Sequence, residues 1–192
     1  MIDGIKITKP AIEINENEEH KVEILLKPRF VSRGGEKLDY ALDKFKIRTE
    51  NCICIDIGAS TGGFTDCLLQ RGASLIYAVD SGHDQLDPTI QNNNKVISIE
   101  GYNARFITED DFPQKFDIAV MDVSFISQTM IHKGISNILN ENGILVSLIK
   151  PQFECDRGGL NSQGIVKKAT DRINSINRVI DSALICGFLV LI

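Results

Sequence analysis

No apolar stretch in this 192-residue chain is long enough to cross a bilayer. The longest, residues 183–192, is half of the roughly 20 residues that a spanning helix needs. The sequence opens without a positively charged leader running into an apolar segment and a small-residue cleavage site, so neither export nor membrane insertion is expected. The five cysteines (52, 54, 67, 155 and 186) include no CxxC pair, and an odd count makes a poor disulfide framework, which suits a reducing cytoplasm. His20, His83 and His132 show no metal-ligand spacing with one another or with the cysteines, so no metal centre is expected. A positive excess is missing too: 21 Lys and Arg against 26 Asp and Glu leave a net charge of −5, which excludes a uniformly basic nucleic-acid coat.

What is there is ordinary globular composition, 43% hydrophobic and 24% charged, at the size of one domain with an appendage. The charge is unevenly spread. Residues 29–48 and 150–178 each sum to +3 around a middle, 49–149, of −8. Residues 1–28 read as two short strands, 5–7 and 22–26, separated by Glu13, Glu16, Glu18 and Glu19, with Lys27-Pro28-Arg29 as a linker. Leu38, Ala41, Leu42 and Phe45 then recur at helical spacing over 34–45. Beyond them, apolar runs at 52–57, 75–79, 96–99, 118–121 and 144–149 predict strands, with helices from the glycine-rich loop to about Gln70, over 127–139 and over 170–186. Ile173, Ile176, Val179, Ile180, Ala183 and Leu184 form the predicted buried face of the last helix. Continuous apolar strands alternating with helices mean an α/β fold with a mostly parallel sheet. Residues 188–192 read as the start of a further strand, so the last strand or strands are expected to be missing.

Four places carry chemistry. The first is Asp56-Ile57-Gly58-Ala59-Ser60-Thr61-Gly62-Gly63-Phe64-Thr65, at a strand-to-helix turn where glycines allow close backbone approach and a helix N-terminus offers amides to an anion. A P-loop would need Lys before Thr65, where Phe64 stands, and the spacing of Gly58 and Gly62 does not match GxGxxG. A nucleoside bearing a carboxylate, such as S-adenosylmethionine, fits; so does a tight turn with no ligand. The second is Asp80, at the tip of the second strand, placed to accept ribose hydroxyls or to cap a turn. Asn103, after the third strand, could meet an adenine edge. The third and fourth are Asp122-Val123-Ser124-Phe125 and Lys150-Pro151-Gln152-Phe153-Glu154, ending the fourth and fifth strands, so that Asp122 and Lys150 share the cleft or form a structural ion pair. Ser32-Arg33-Gly34-Gly35-Glu36-Lys37-Leu38 reads by composition as a solvated basic helix start.

Residues 29–38, 56–66, 122–127 and 148–154, in this order, resemble the TlyA (haemolysin A) family, and the resemblance covers nearly the whole chain. It implies a Rossmann-like class I methyltransferase domain of the FtsJ-like type over 29–192. It further implies that residues 1–28 are a partial S4-like RNA-binding remnant. The implied activity is S-adenosylmethionine-dependent 2′-O-methylation of cytidine ribose in ribosomal RNA, on free RNA or ribosomal subunits. The family's catalytic set is Lys, Asp, Lys, Glu. The first three fall on Lys37, Asp122 and Lys150; the fourth lies beyond the final strand reached here and is not Glu154. The cofactor set falls on Asp56, Gly58, Ala59, Ser60, Thr61, Gly62, Gly63, Phe64, Asp80, Asn103 and Asp122. Arg29, Arg33, Lys44, Lys46, Arg48, Arg157, Lys167 and Lys168 are candidates to hold phosphates.

A ribose hydroxyl is a poor nucleophile, so the reaction needs alignment and proton removal. Lys150 is the candidate base or hydroxyl-orienting group: a free lysine titrates near ~10.4, burial and Lys37 favour loss of its proton, and Asp122 opposes it. The alternatives are a methyltransferase on a small molecule or protein, a non-catalytic RNA-binding protein, and a membrane-active haemolysin.

Overall fold

The computed structural model describes residues 1–5, 7, 13–15, 18–23 and 28–192, apart from the side chain of Arg157. Its centre is a five-stranded, all-parallel sheet in the order β3-β2-β1-β4-β5. The strands are β1 (Ile53–Ile57), β2 (Leu75–Val79), β3 (Val96–Ile99), β4 (Phe116–Met121) and β5 (Leu139–Ser147). The helices are α1 (Gly34–Lys44), α2 (Gly63–Gln70), α3 (Pro88–Gln91), α4 (His132–Ile138), α5 (Pro151–Glu154) and α6 (Ala169–Ile185). The chain runs outward from β1 to β3, then returns to place β4 on the other side of β1. That reversal makes a Rossmann-like switch point, and the crevice beyond the carboxyl ends of β1 and β4 is where such sheets hold ligands.

Alternating side chains on the central strands feed two cores. Ile55, Ile57, Tyr77, Val79, Ala119 and Met121 face Ile131, Ile135 and Ile138 around α4, with Phe112 and Phe116 packed edge-on to Tyr77. Cys54, Ile76, Ile118 and Val120 face Leu38 and Leu42 of α1 and Leu68 of α2 on the opposite side. A sheet buried on both faces is what apolar parallel strands require.

Several boundaries differ from the sequence expectation. β5 starts at Leu139, which pairs with Phe116, and the ladder resumes only at Ile118–Ile144. The polar Asn-Glu-Asn-Gly segment between is a register irregularity inside the strand instead of a turn before it. β5 ends at Ser147, so Lys150 stands beyond the strand at the N-cap of α5. The expected helix over 127–139 is a short 3-10 turn, Gln128–Met130, followed by α4. On α6 the buried side chains are Ser175, Val179 and Ala183, while Ile173 and Leu184 are exposed. Residues 188–192 form no strand; Phe188 packs its ring against His132, and Leu189, Leu191 and Ile192 are exposed. The expected strands at 5–7 and 22–26 fall partly outside the described residues; those described form isolated bridges, Ile2 with Ile5 and Ile2 with Val22.

Candidate active site

The first wall of the crevice is the loop between β1 and α2. Gly58 adopts φ +84°, and a Cβ there would lie 3.2 Å from the Asp122 carbonyl oxygen and 3.3 Å from the Val123 Cα. Glycine is therefore what lets this loop touch the loop after β4. Asp80, at the end of β2, accepts the amide of Ser60 on one carboxylate oxygen and that of Gly82 on the other, both at 2.8 Å. Gly62 and Gly63 serve packing: a Cβ at Gly62 would meet Leu86 at 2.8 Å, and one at Gly63 would meet Ser32 at 2.1 Å and the Gly35 amide nitrogen at 3.0 Å. Phe64 is buried with Phe30, Leu38 and Leu42 against α1. The glycine pairs of the two motifs thus bring the N-termini of α1 and α2 together.

Two cavities open on either side of Gly58, Ser60, Asp122 and Ser124, which line both. The smaller, about 320 Å³, is lined by Asp80, Gln85, Tyr102, Asn103 and Phe125 among others. The larger, about 1000 Å³, is lined by Arg33, Lys37, Tyr40, Ala59, Thr61, Gly63, Phe64 and Lys150. The donor set of the smaller cavity fits an adenosine. Each Asp80 oxygen keeps a lone pair for a ribose hydroxyl after accepting its one amide, although Asn103 already uses its carbonyl to cap Arg105. Among the described residues no group of three or more His, Cys, Asp or Glu side chains is placed to hold a metal ion.

At the junction of the cavities stands Asp122, beside Lys150 and Lys37, the three residues on which the resemblance places catalysis. Lys150 Nζ lies 2.6 Å from Asp122 Oδ1, and it donates to Ser124 Oγ at 2.8 Å and to the Asp122 carbonyl at 3.3 Å. Lys37 Nζ approaches the other carboxylate oxygen, Oδ2, at 3.9 Å. Asp122 is thus held between two amines, one from α1 and one from the start of α5. Ser124 was not separated from its motif by sequence reasoning, because its contact with Lys150 spans 26 residues.

Phe125, in the same loop, is 92% exposed at φ +65°, and its ring lies 5.2 Å from that of Phe153. A bulky non-glycine residue in the left-handed region is the kind of strain that functional loops retain. Of the basic candidates, Arg33 lines the larger cavity, Arg29 is ion-paired with Asp39, and Lys44, Lys46, Arg48, Lys167 and Lys168 are exposed away from it. The side chain of Arg157 lies outside the described residues.

Asp56 is fully buried behind this surface and lines neither cavity. Thr65 Oγ1 donates to Oδ2 at 2.7 Å, while Oδ1 has no hydrogen-bond partner. Burial pushes its carboxyl from 3.8 up to about 7; the bonds from Thr65 oppose the rise, and Asp122 and Asp80 add to it. The folded chain therefore holds a proton that the unfolded chain releases between about pH 4 and pH 7. The corresponding stability is complete below that window, declines as pH rises through it, and is lost above it. Asp56→Asn, neutral throughout, is expected to flatten this decline, so that wild-type Tm falls relative to the variant between about pH 4 and pH 7. Parallel Tm profiles would contradict it.

Comparison with known proteins agrees with this geometry. The model of the FtsJ-like methyltransferase family matches residues 30–191. Hemolysin A of Brachyspira hyodysenteriae is 44% identical over 97% of this chain and 78% of its own length. The 16S/23S rRNA (cytidine-2′-O)-methyltransferase TlyA of Mycobacterium tuberculosis is 36% identical over 91% of this chain and 65% of its own length. A solved Streptococcus thermophilus protein bearing the name hemolysin superposes with a TM-score of 0.80 at 43% identity, over 88% of this chain and 61% of that one. Among the described residues no helix is long and apolar enough to cross a membrane. With the sheet order, the paired cavities and a family match spanning the entire sheet, the chain belongs to the FtsJ-like methyltransferase family.

Proposed function

We propose that this chain methylates the 2′-hydroxyl of a cytidine ribose in ribosomal RNA, using S-adenosylmethionine, in the cytoplasm. The observation that carries the reading is the Asp122 carboxylate held between Lys37 and Lys150 where the two cavities meet. Asp80, Asn103 and the loop from Gly58 to Thr61 hold the cofactor, which supplies an electrophilic methyl group. The larger cavity takes the nucleotide. Lys150 turns its longest bond, the one to the Asp122 carbonyl at 3.3 Å, to the ribose oxygen and fixes it, while the Asp122 carboxylate holds both amines and accepts the proton that the hydroxyl loses. Ser124, already accepting from Lys150, has its own proton free to orient the hydroxyl. Lys37 and Arg33 supply positive charge beside the phosphate on either side of the ribose. Phe125 lines the smaller cavity yet is 92% exposed, which leaves its outer face as a stacking surface for the base, as aromatic side chains provide for unstacked RNA bases. Residues 1–28, the S4-like segment, belong with the RNA contacts.

The test is transfer of labelled methyl from S-adenosylmethionine to ribosomal RNA over a salt series. Incorporation that declines as salt rises is expected, since phosphate contacts weaken with counterion concentration. Incorporation into protein or small acceptors with no salt dependence would overturn the RNA assignment. Phe125→Ala is expected to raise KM for RNA about tenfold, the scale of one lost base-stacking contact. Because Phe125 also lines the smaller cavity, S-adenosylmethionine affinity is read alongside, and a loss there as large as the rise in KM would assign the ring to the cofactor instead. An unchanged KM would remove Phe125 from the substrate site.

A further inference from the structure

The loop that carries Asp122 and Ser124 and the turn that carries Lys150 are joined by a side chain that the reaction itself does not use. Glu154, the last residue of α5, is 2% exposed. Its Oε2 accepts from Ser127 Oγ at 2.5 Å and its Oε1 from the Gln128 amide at 2.9 Å. Gln128, itself buried, returns the connection by donating from Nε2 to the Leu148 carbonyl at 2.6 Å. Outside this clasp, Arg178 of α6 donates to the Glu154 carbonyl at 2.7 Å.

A buried carboxylate is costly, and apolar packing would join the two segments as firmly. What apolar packing lacks is register. Two acceptor oxygens, filled by one hydroxyl and one backbone amide, fix where the segment 122–128 lies along α5. Lys150 and Glu154 stand one helical turn apart, so this register also sets where the Lys150 amine meets Asp122 and Ser124. We infer that Glu154 is a positioning residue for methyl transfer, a clasp whose carboxylate holds the Asp122–Ser124 loop and the Lys150 turn in reacting register. The inference rests on the function proposed above for its catalytic consequence, but the placement of the amine can be measured separately.

The experiment uses the full chain with Glu154→Leu, which keeps volume and removes both acceptors, Glu154→Gln, which keeps an acceptor for the Gln128 amide and can donate to Ser127, and Ser127→Ala. Three quantities are read: S-adenosylmethionine affinity, kcat and KM on ribosomal RNA, and the rate at which limiting acetic anhydride acetylates Lys150 relative to Lys95, resolved by mass spectrometry. Glu154→Leu is expected to bind S-adenosylmethionine within twofold of wild type and to lose at least tenfold in kcat with little change in KM. Lys150 should be acetylated at least threefold faster relative to Lys95. Glu154→Gln should recover kcat to within about threefold, and Ser127→Ala should fall between. Should Glu154→Leu fail to fold, Ser127→Ala carries the same two shifts at smaller size.

Folded variants in which Lys150 is acetylated at the wild-type relative rate would overturn the clasp, whatever their activity. Equal losses in cofactor affinity and kcat would do so as well, since they mark a general structural role. A wild type that transfers no methyl to RNA, while the acetylation shift persists, leaves the clasp standing and overturns the function it serves.

Discussion

Lys150→Ala is expected to lower methyl transfer to RNA about 10³-fold, the scale of losing one hydrogen-bond donor to a reacting oxygen, while S-adenosylmethionine affinity stays within about twofold. The asymmetry follows from where the amine sits. Lys150 lines the larger cavity with Lys37 and Arg33, and it is absent from the smaller one, where Asp80 and Asn103 stand. Its contacts, Asp122 and Ser124, lie at the junction of the two. Removing the amine leaves the proposed cofactor cavity intact and takes away the proposed donor to the nucleophile. Turnover within threefold of wild type would remove Lys150 from the reaction, and a matching loss of cofactor affinity would reassign it to binding. Isothermal calorimetry and single-turnover methyl transfer read the two quantities apart.

Gly58→Ala is expected to damage fold and site together. An alanine held at φ +84° costs about 1–2 kcal/mol from left-handed strain. Its Cβ would also press on the Asp122 carbonyl and the Val123 Cα, both backbone atoms that cannot rotate away. The displaced segment carries Asp122, so cofactor affinity and turnover should each fall at least tenfold. Gly164 provides the control: it has a comparable φ of +74°, yet nothing lies within 4 Å of its Cβ position. Gly164→Ala should lose only the left-handed strain, about 1–2 kcal/mol in urea unfolding, with turnover near wild type. Equal effects of the two variants on turnover would mean that the close approach at Gly58 has no bearing on the site.

The contrast between these glycines shows which parts of the site sequence reasoning reached. β2 and β3 were predicted residue for residue, because each is an apolar run bounded by polar residues. Asp56, Asp80 and Asp122 could be placed at strand ends for the same reason. That Lys37 would join Asp122 and Lys150 followed from a family resemblance alone, since only the packing of α1 against α2 carries it there. The roles of Gly62 and Gly63 were not readable: a glycine facing a ligand and one facing Ser32 or Leu86 look alike in sequence. β5 was displaced because Asn140 to Gly143 has turn composition yet sits inside the strand as an irregularity. On α6 the apolar stripe was counted by hydrophobicity, whereas its buried line runs through Ser175, whose hydroxyl is satisfied by the Asp171 carbonyl. Glu154 lies within the motif 148–154, but its partners are 26 and 27 residues away and become neighbours only through the adjacency of β4 and β5.

In the proposed function Asp122, set between Lys37 and Lys150, directs a methyl group to a ribose oxygen of RNA. The most direct measurement is the identity of the product: ribosomal RNA methylated by the full chain with labelled S-adenosylmethionine, digested to nucleosides and resolved by mass spectrometry. Label in 2′-O-methylcytidine, and its loss in Lys150→Ala, is the expected result. Label on a base carbon or nitrogen, or in protein, would contradict it.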